Sequence, residues 1–192
     1  MGEDKSLLPF SSSNTLIQYQ YERLKPYFKD IYISSKNNKF DFIDEKSLIL
    51  DENKDIYSPI LALDTIFKKF ENKKVFIITV DSPFVSIEAI KKLIDESIET
   101  DICVAKTEKI HNLCGVFSSN IRKTINEMIS EDIHKIFYLI RNNNHKIIEF
   151  SNEVLSRKLK FTWDFRGRVN TITKESLQIA KKAGLSMVSF GV

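Results

Sequence analysis

Cysteine occurs only twice in the 192-residue chain, at Cys103 and Cys114. Both fall in apolar runs, lack C-x-x-C spacing and follow no secretory leader, which argues against a disulfide and for buried, reduced thiols. Histidine is nearly as scarce, and His111, His134 and His145 show no metal-ligand spacing. No apolar stretch approaches the roughly 18 residues that a membrane-spanning helix needs, and the amino terminus lacks the h-region of a signal peptide. A large charge excess is missing as well. The 29 basic and 26 acidic residues leave a formal charge of +3, too small a surplus to mark a nucleic-acid surface without a clustered basic patch. The nearest clusters, Lys68-Lys69 with Lys73-Lys74 and Arg157-Lys158 with Lys160, read as solvated faces. Internal repeats and long linkers are absent too. These absences leave a cytoplasmic chain with neither membrane nor nucleic acid as partner. Its length and 42% hydrophobic content predict one domain, residues 1–192, around one core.

What is present alternates between strand and helix. Ile17, Tyr21, Leu24 and Phe28 form a helical stripe that Asn14 can cap and Pro26 bends or shortens. Residues 30–34 and 47–50 read as short strands, the second ending at Asp51. Ser58-Pro59 is a strong helix start, because proline at the first helical position sacrifices no hydrogen bond and serine caps free amides. Ile60, Leu63, Phe67 and Phe70 follow on one face. Residues 75–80, apolar and rich in β-branched side chains, read as a buried strand that stops at Asp81. Ser86 can cap a helix with Ile87, Ile90, Ile94 and Ile98 inward. Residues 102–105 and 113–117 are further strands, and Asn120 can cap a helix bearing Ile121, Ile125, Met128 and Ile129. A second helix carries Ile133, Phe137 and Ile140, before a short strand at 146–150. Phe161, Trp163 and Phe165 alternate as a half-buried strand does, and Thr173 can cap a last helix. Alternation of this kind predicts an α/β fold, a mostly parallel sheet with helices on both faces. Ligands bind at the carboxyl ends of strands in such sheets, so Asp81 is either a metal or phosphate-handling group or a turn cap.

Four separated segments sharpen that choice. Met1-Gly2-Glu3-Asp4-Lys5-Ser6-Leu7-Leu8-Pro9 looks like the second half of a signature that ends in aspartate-lysine and leucine-leucine-proline. Val80-Asp81-Ser82-Pro83-Phe84 is similar to a central strand closing in aspartate-x-proline. Ser58-Pro59-Ile60-Leu61-Ala62 takes the place of a glycine-proline-leucine-alanine-glycine helix start, and Arg168-Val169-Asn170-Thr171-Ile172 partly matches a late asparagine-x-asparagine-threonine-proline motif. By these segments, in their order and spacing along the chain, the chain resembles the molybdenum cofactor guanylyltransferases, nucleotidyltransferases of Rossmann-like α/β fold.

The resemblance implies transfer of GMP from GTP to the terminal phosphate of molybdopterin, with release of pyrophosphate. It makes Lys5 the phosphate-neutralising group, Asp81 the ligand of a magnesium ion (Mg2+), and Asp51 a nucleotide contact through base or ribose. Asn170 falls near the pterin side or the metal. The structural alternatives are an exposed loop lysine at Lys5, a turn residue at Asp51 and a helix-approach turn asparagine at Asn170. Two other readings remain: another small nucleotidyltransferase using CTP or a different acceptor, and a non-catalytic nucleotide-fold module that binds a partner such as a molybdoenzyme chaperone. The family's first strand and glycine-rich loop have no counterpart before Met1. The expectation is therefore an amino-terminally truncated form, weakly active or inactive. Its sheet would lack a strand between residues near 31 and residues near 77, with two inner edges unpaired. Lys36, where the family tends to carry asparagine, departs from the pattern, as do Asn112, Arg168 and Ile172.

Overall fold

A computed structural model describes residues 4–150, 163–167, 174, 178, 181 and 185–190. Its helices are α1 (Leu16–Leu24), α2 (Pro59–Lys69), α3 (Ile87–Glu96), α4 (Arg122–Ser130) and α5 (Ile136–Arg141). Its strands are β1 (Ile33–Ser35), β2 (Leu48–Leu50), β3 (Lys74–Ile77), β4 (Ile102–Lys106), β5 (Ile110–Ser118), β6 (His145–Glu149), β7 (Trp163–Gly167) and β8 (Leu185–Phe190). They fall into two compact units, Met1–Ala105 with Ile110–Ile148, and Lys106–Lys109 with Glu149–Val192. In the second unit β7 and β8 pair in parallel, which meets the strand expected around Trp163. Among the described residues no helix is long and apolar enough to cross a membrane.

The first unit is built on α2. Ser58 caps it by accepting from the Ile60 amide at 3.2 Å, with Pro59 in the first turn. The same hydroxyl lies 2.7 Å from His134 Nδ1, and His134 Nε2 lies 2.8 Å from Asp132, so this histidine braces the helix start. Helix α2 buries Ile60, Leu63, Ile66 and Phe67 in one cluster with Ile102 and Val104 of β4, Phe117 of β5, Ile125 and Met128 of α4, and Leu139 and Ile140 of α5. Full burial of each such side chain stabilises the fold by about 1.5–3 kcal/mol. Cys103 and Cys114 are free and buried, and burial pushes both thiols up to about 11.

Several local expectations shift by a residue or two. Thr15, not Asn14, caps α1, accepting from Gln18 N at 3.2 Å. Ser118, not Asn120, caps the 3-10 turn Ser119–Ile121 that leads into α4. In each case the hydroxyl next to the first turn reaches the free amide. The parallel pairing expected of the sheet is met at β1–β2, with Ile33 opposite Leu48 and Ser35 opposite Leu50. Strands β3 and β5 run antiparallel, Lys74 opposite Ser118 and Ile77 opposite Gly115. Only residues 107–109 separate β4 from β5, too few for the crossover that a parallel neighbour requires.

The strand order is β1-β2 in one sheet and β3-β5-β4-β6 in another. Between them lies a cavity of about 1150 Å³. Residues 31–35 and 73–80 line it consecutively, whereas β5 contributes only Leu113 and Val116. A strand that meets a cavity with its face contributes alternate residues, and one that meets it with its edge contributes every residue. Strands β1 and β3 thus border the gap along their length. The same gap explains why β3 is half-buried and not buried, and why Ile94 and Ile98, expected inward on α3, are exposed by 38% and 76%. Both border the cavity, and Ile98 lies two residues past the end of α3.

Gly115 lies against the β4 backbone. A Cβ there would overlap the Cys103 carbonyl oxygen and come within 2.8 Å of Val104 Cα. Gly115→Ala should therefore destabilise the fold by about 2 kcal/mol or more, read as a lowered urea midpoint with an unchanged slope.

Candidate active site

Lys5 opens a single 3-10 turn, Lys5–Leu7. Asp4 caps that turn: its Oδ1 accepts from the Ser6 amide at 3.0 Å and from Ser6 Oγ at 2.7 Å. Its Oδ2 pairs with Lys39 Nζ from the loop after β1. The hydrogen bond from Lys39, then that from Ser6, holds the Asp4 carboxyl below its ordinary range. Asp4 is thus committed to structure. Lys5 is exposed, and its ammonium has no partner among the described residues. A free ammonium on a tethered turn is what a phosphate-neutralising lysine requires.

Helix α1 ties this turn to the loop after β3. Leu16 N donates to Leu8 O at 2.8 Å, which anchors the Lys5 loop to the helix start. From the next turns of the same helix, Gln20 Nε2 reaches Thr79 O at 3.5 Å and Arg23 Nη1 donates to Val85 O at 2.7 Å. Arg23 Nη2 also donates to Gln20 Oε1 at 2.7 Å, locking the two side chains together. The Phe10 ring completes the clamp, 4.9 Å from Tyr19 and 5.8 Å from Phe84.

Asp81 sits in the clamped loop. Strand β3 stops at Ile77 and not at Val80, so Asp81 stands four residues past the strand and not at its last position. The cause is local: Thr79 O accepts from Ser82 N at 3.2 Å and from Gln20, closing a turn in place of a ladder bond. Thr79 Oγ1 donates to Asp81 Oδ1 at 2.5 Å and lies 3.3 Å from Ser82 Oγ. The carboxylate is exposed, and its Oδ2 has no partner among the described residues. No group of three or more His, Cys, Asp or Glu is gathered for a metal ion among those residues. One open carboxylate nonetheless fits magnesium, which takes one or two from protein and completes its octahedron with water and phosphate oxygens.

Asp51 follows β2 and extends the parallel pair, its amide donating to Ser35 O at 3.0 Å. Ser34 Oγ reaches its Oδ1 at 3.4 Å. Burial raises the Asp51 carboxyl above its ordinary range, with Ser34 and Lys36 pulling the other way. Such a carboxylate is short of donors and suited to accept from a ligand. Lys5 and Asp81 are joined directly through α1. Asp51 belongs to a neighbouring strand: β2 pairs with β1, and the loop after β1 carries Lys39, the partner of Asp4. Ser34, Lys39, Asp4 and Thr79 all border one cavity. Asn170 lies outside the described residues. Gln20, Arg23 and Lys39 escaped the sequence reading. Only Gln20 left a trace there, as a polar residue four positions from both Leu16 and Leu24 on the buried stripe of α1.

Comparison with known proteins supplies a context for this geometry. The MobA-like NTP transferase domain matches residues 1–146. A molybdenum cofactor guanylyltransferase of Campylobacter jejuni subsp. doylei is 35% identical over 164 residues, 84% of this chain and 84% of that protein. A protein of Aquifex aeolicus named probable molybdenum cofactor guanylyltransferase is 32% identical over 178 residues, 92% of this chain and 82% of its own length. The crystal structure of molybdopterin-guanine dinucleotide biosynthesis protein A from Archaeoglobus fulgidus superposes with a TM-score of 0.62, covering 79% of this chain and 77% of that one. At 18% identity that likeness shows a shared fold.

Asp51 and Asp4 lend the fold opposite pH dependences. The folded chain holds the Asp51 proton to higher pH than the unfolded chain does, so stability falls as pH rises through and above the ordinary carboxylate range. Asp4 contributes stability that is present above that range and is lost as pH falls through its lowered folded value. Asp51→Asn should thus raise the urea midpoint at pH 7, with the gain shrinking toward pH 4. Asp4→Asn should lower the midpoint at pH 7. An Asp51→Asn variant no more stable than wild type at pH 7 contradicts the burial argument.

Proposed function

The chain belongs to the MobA-like NTP transferase family and is a nucleotidyltransferase of molybdenum cofactor biosynthesis, and from that premise we propose that it transfers GMP from GTP to the terminal phosphate of molybdenum-loaded molybdopterin. The products are the guanine dinucleotide cofactor and pyrophosphate. The observation that carries the site assignment is the α1 clamp, which joins an unpaired ammonium, Lys5, to an open carboxylate, Asp81.

An oxygen of the acceptor phosphate attacks the α-phosphorus of GTP. A new P–O bond forms, the bond to the bridging oxygen of the β-phosphate breaks, and its electron pair leaves on pyrophosphate. Two polyanions must approach for this to happen, so positive charge at the phosphates lowers the barrier more than any proton transfer does. Lys5 Nζ supplies part of that positive charge and stabilises the negative charge that develops on the leaving pyrophosphate. Asp81, through Oδ2, is the residue to hold a magnesium ion, which when bound adds charge neutralisation at the same phosphates. Thr79 fixes the rotamer of Asp81 through Oδ1. Asp51 accepts from the adjacent N–H donors of guanine or from ribose hydroxyls. The paired donors on guanine's edge suit a carboxylate better than the single amino group of cytosine. A step that consumes GTP is the support for reading the chain as cytoplasmic.

Asp81→Ala should lower GMP transfer by about a hundredfold or more, the scale of losing a group that stabilises charge in the transition state, while the circular dichroism spectrum and urea midpoint stay unchanged. Normal turnover would sink the metal assignment. Lys5→Ala should raise KM for GTP and lower kcat together. Unchanged kinetics would return Lys5 to the status of a loop lysine.

A further inference from the structure

The loop from Asp51 to the cap of α2, residues 52–57, is folded around one ammonium. Lys36 Nζ donates to the carbonyl oxygens of Asn53 at 3.3 Å, Lys54 at 2.9 Å and Ile56 at 2.7 Å. An ammonium has three donors, so none is left for a phosphate. Inside the loop Asn53 Oδ1 accepts from the amides of Asp55 at 3.1 Å and Ile56 at 2.9 Å, a side-chain turn that aims those carbonyls at Lys36. The ammonium also sits 4.0 Å from the centre of the Tyr57 ring, within cation–π range. Tyr57 is nevertheless 87% exposed. Lys36 is near enough to Asp51 to lower its carboxyl's proton affinity. One side chain therefore connects an aromatic ring, open to solvent, with the carboxylate assigned to the nucleotide.

We propose that residues 52–57 form a base-recognition loop in which Tyr57 stacks on the purine of the nucleotide and Lys36 is the positioning residue that holds the loop closed beside Asp51. The ligand class is a purine nucleoside triphosphate, and the inference rests on the nucleotidyltransferase reading above. Lys36 polarises the ring from one side, which strengthens its stacking on an electron-rich purine. It acts on affinity for the base and not on the phosphates.

Calorimetry with magnesium present, comparing GTP with tripolyphosphate, isolates the contribution of the nucleoside. Wild type should bind GTP at least tenfold more tightly than tripolyphosphate. Tyr57→Ala should cut that ratio about tenfold, the scale of losing one base–aromatic stack, with tripolyphosphate affinity unchanged and Tyr57→Phe like wild type. Lys36→Met should cut the ratio likewise. If that variant does not fold, the exposed Tyr57→Ala decides. A ratio untouched in Tyr57→Ala, or equal affinities in wild type, overturns the proposal. A fall in tripolyphosphate affinity in Lys36→Met overturns the role of Lys36. If the ratio behaves as expected but no GMP reaches molybdopterin, the base site stands and the acceptor assignment fails.

Discussion

The hydrogen bond from Arg23 to Val85 O, reinforced by Gln20 and by the Phe10–Phe84 contact, is the constraint on which the site depends. The Lys5 turn has little to hold it by itself: one 3-10 turn, one capping carboxylate and one ion pair at the surface. The Asp81 turn is similarly short of packing, since it lies past the end of β3. Helix α1 grips both. Chemistry between two anions needs its positive charges fixed before the reactants meet, and a short helix with one loop tied at its start and another along its side achieves this with few residues.

The stability of the first unit comes from elsewhere, and this separates construction from function. Helix α2 and its cluster with β4, β5, α4 and α5 bury the large apolar side chains. The site loops instead ride on α1 and on the ends of β1, β2 and β3, with β1 and β2 around a smaller cluster of Ile33, Phe40 and Leu48. Between the two lies the cavity that β1 and β3 border. Asp4, Ser34, Lys39 and Thr79 of the site loops are among the residues that line that cavity, whereas Lys5, Asp51 and Asp81 are not. Loops at strand ends are held by fewer contacts than the strands themselves, so side-chain clamps such as Arg23 and Lys36 do the positioning that sheet packing cannot.

Much of this was legible in the residues. Ser58 and Ser86 announced their helices, because a capping hydroxyl followed by apolar spacing has one local solution. Asp51 stands directly after β2, as the residues suggest, whereas Asp81 stands four residues past β3, farther from its strand than they suggest. Apolar run length cannot register the turn that Thr79 and Ser82 make, and β-branched Ile78 and Val80 read the same in or out of a ladder. Periodicity marks Ile94 and Ile98 as inward because it reports which face of a helix is apolar, not whether that face meets protein or a cavity. The clamp itself was invisible. Arg23 and Val85 are 62 residues apart, and Lys36 was noticed only as a departure from an asparagine, with no hint of the three carbonyls it gathers.

The central claim is that Lys5 and Asp81 act as one site through α1. A double-mutant cycle on kcat/KM for GMP transfer, with Lys5→Ala, Asp81→Asn and both together, tests it most directly. Groups that act on the same charge in the same transition state are not independent, so the combined loss should be smaller than the product of the single losses, by a coupling of about 1 kcal/mol or more. A double variant whose loss equals that product would contradict the account.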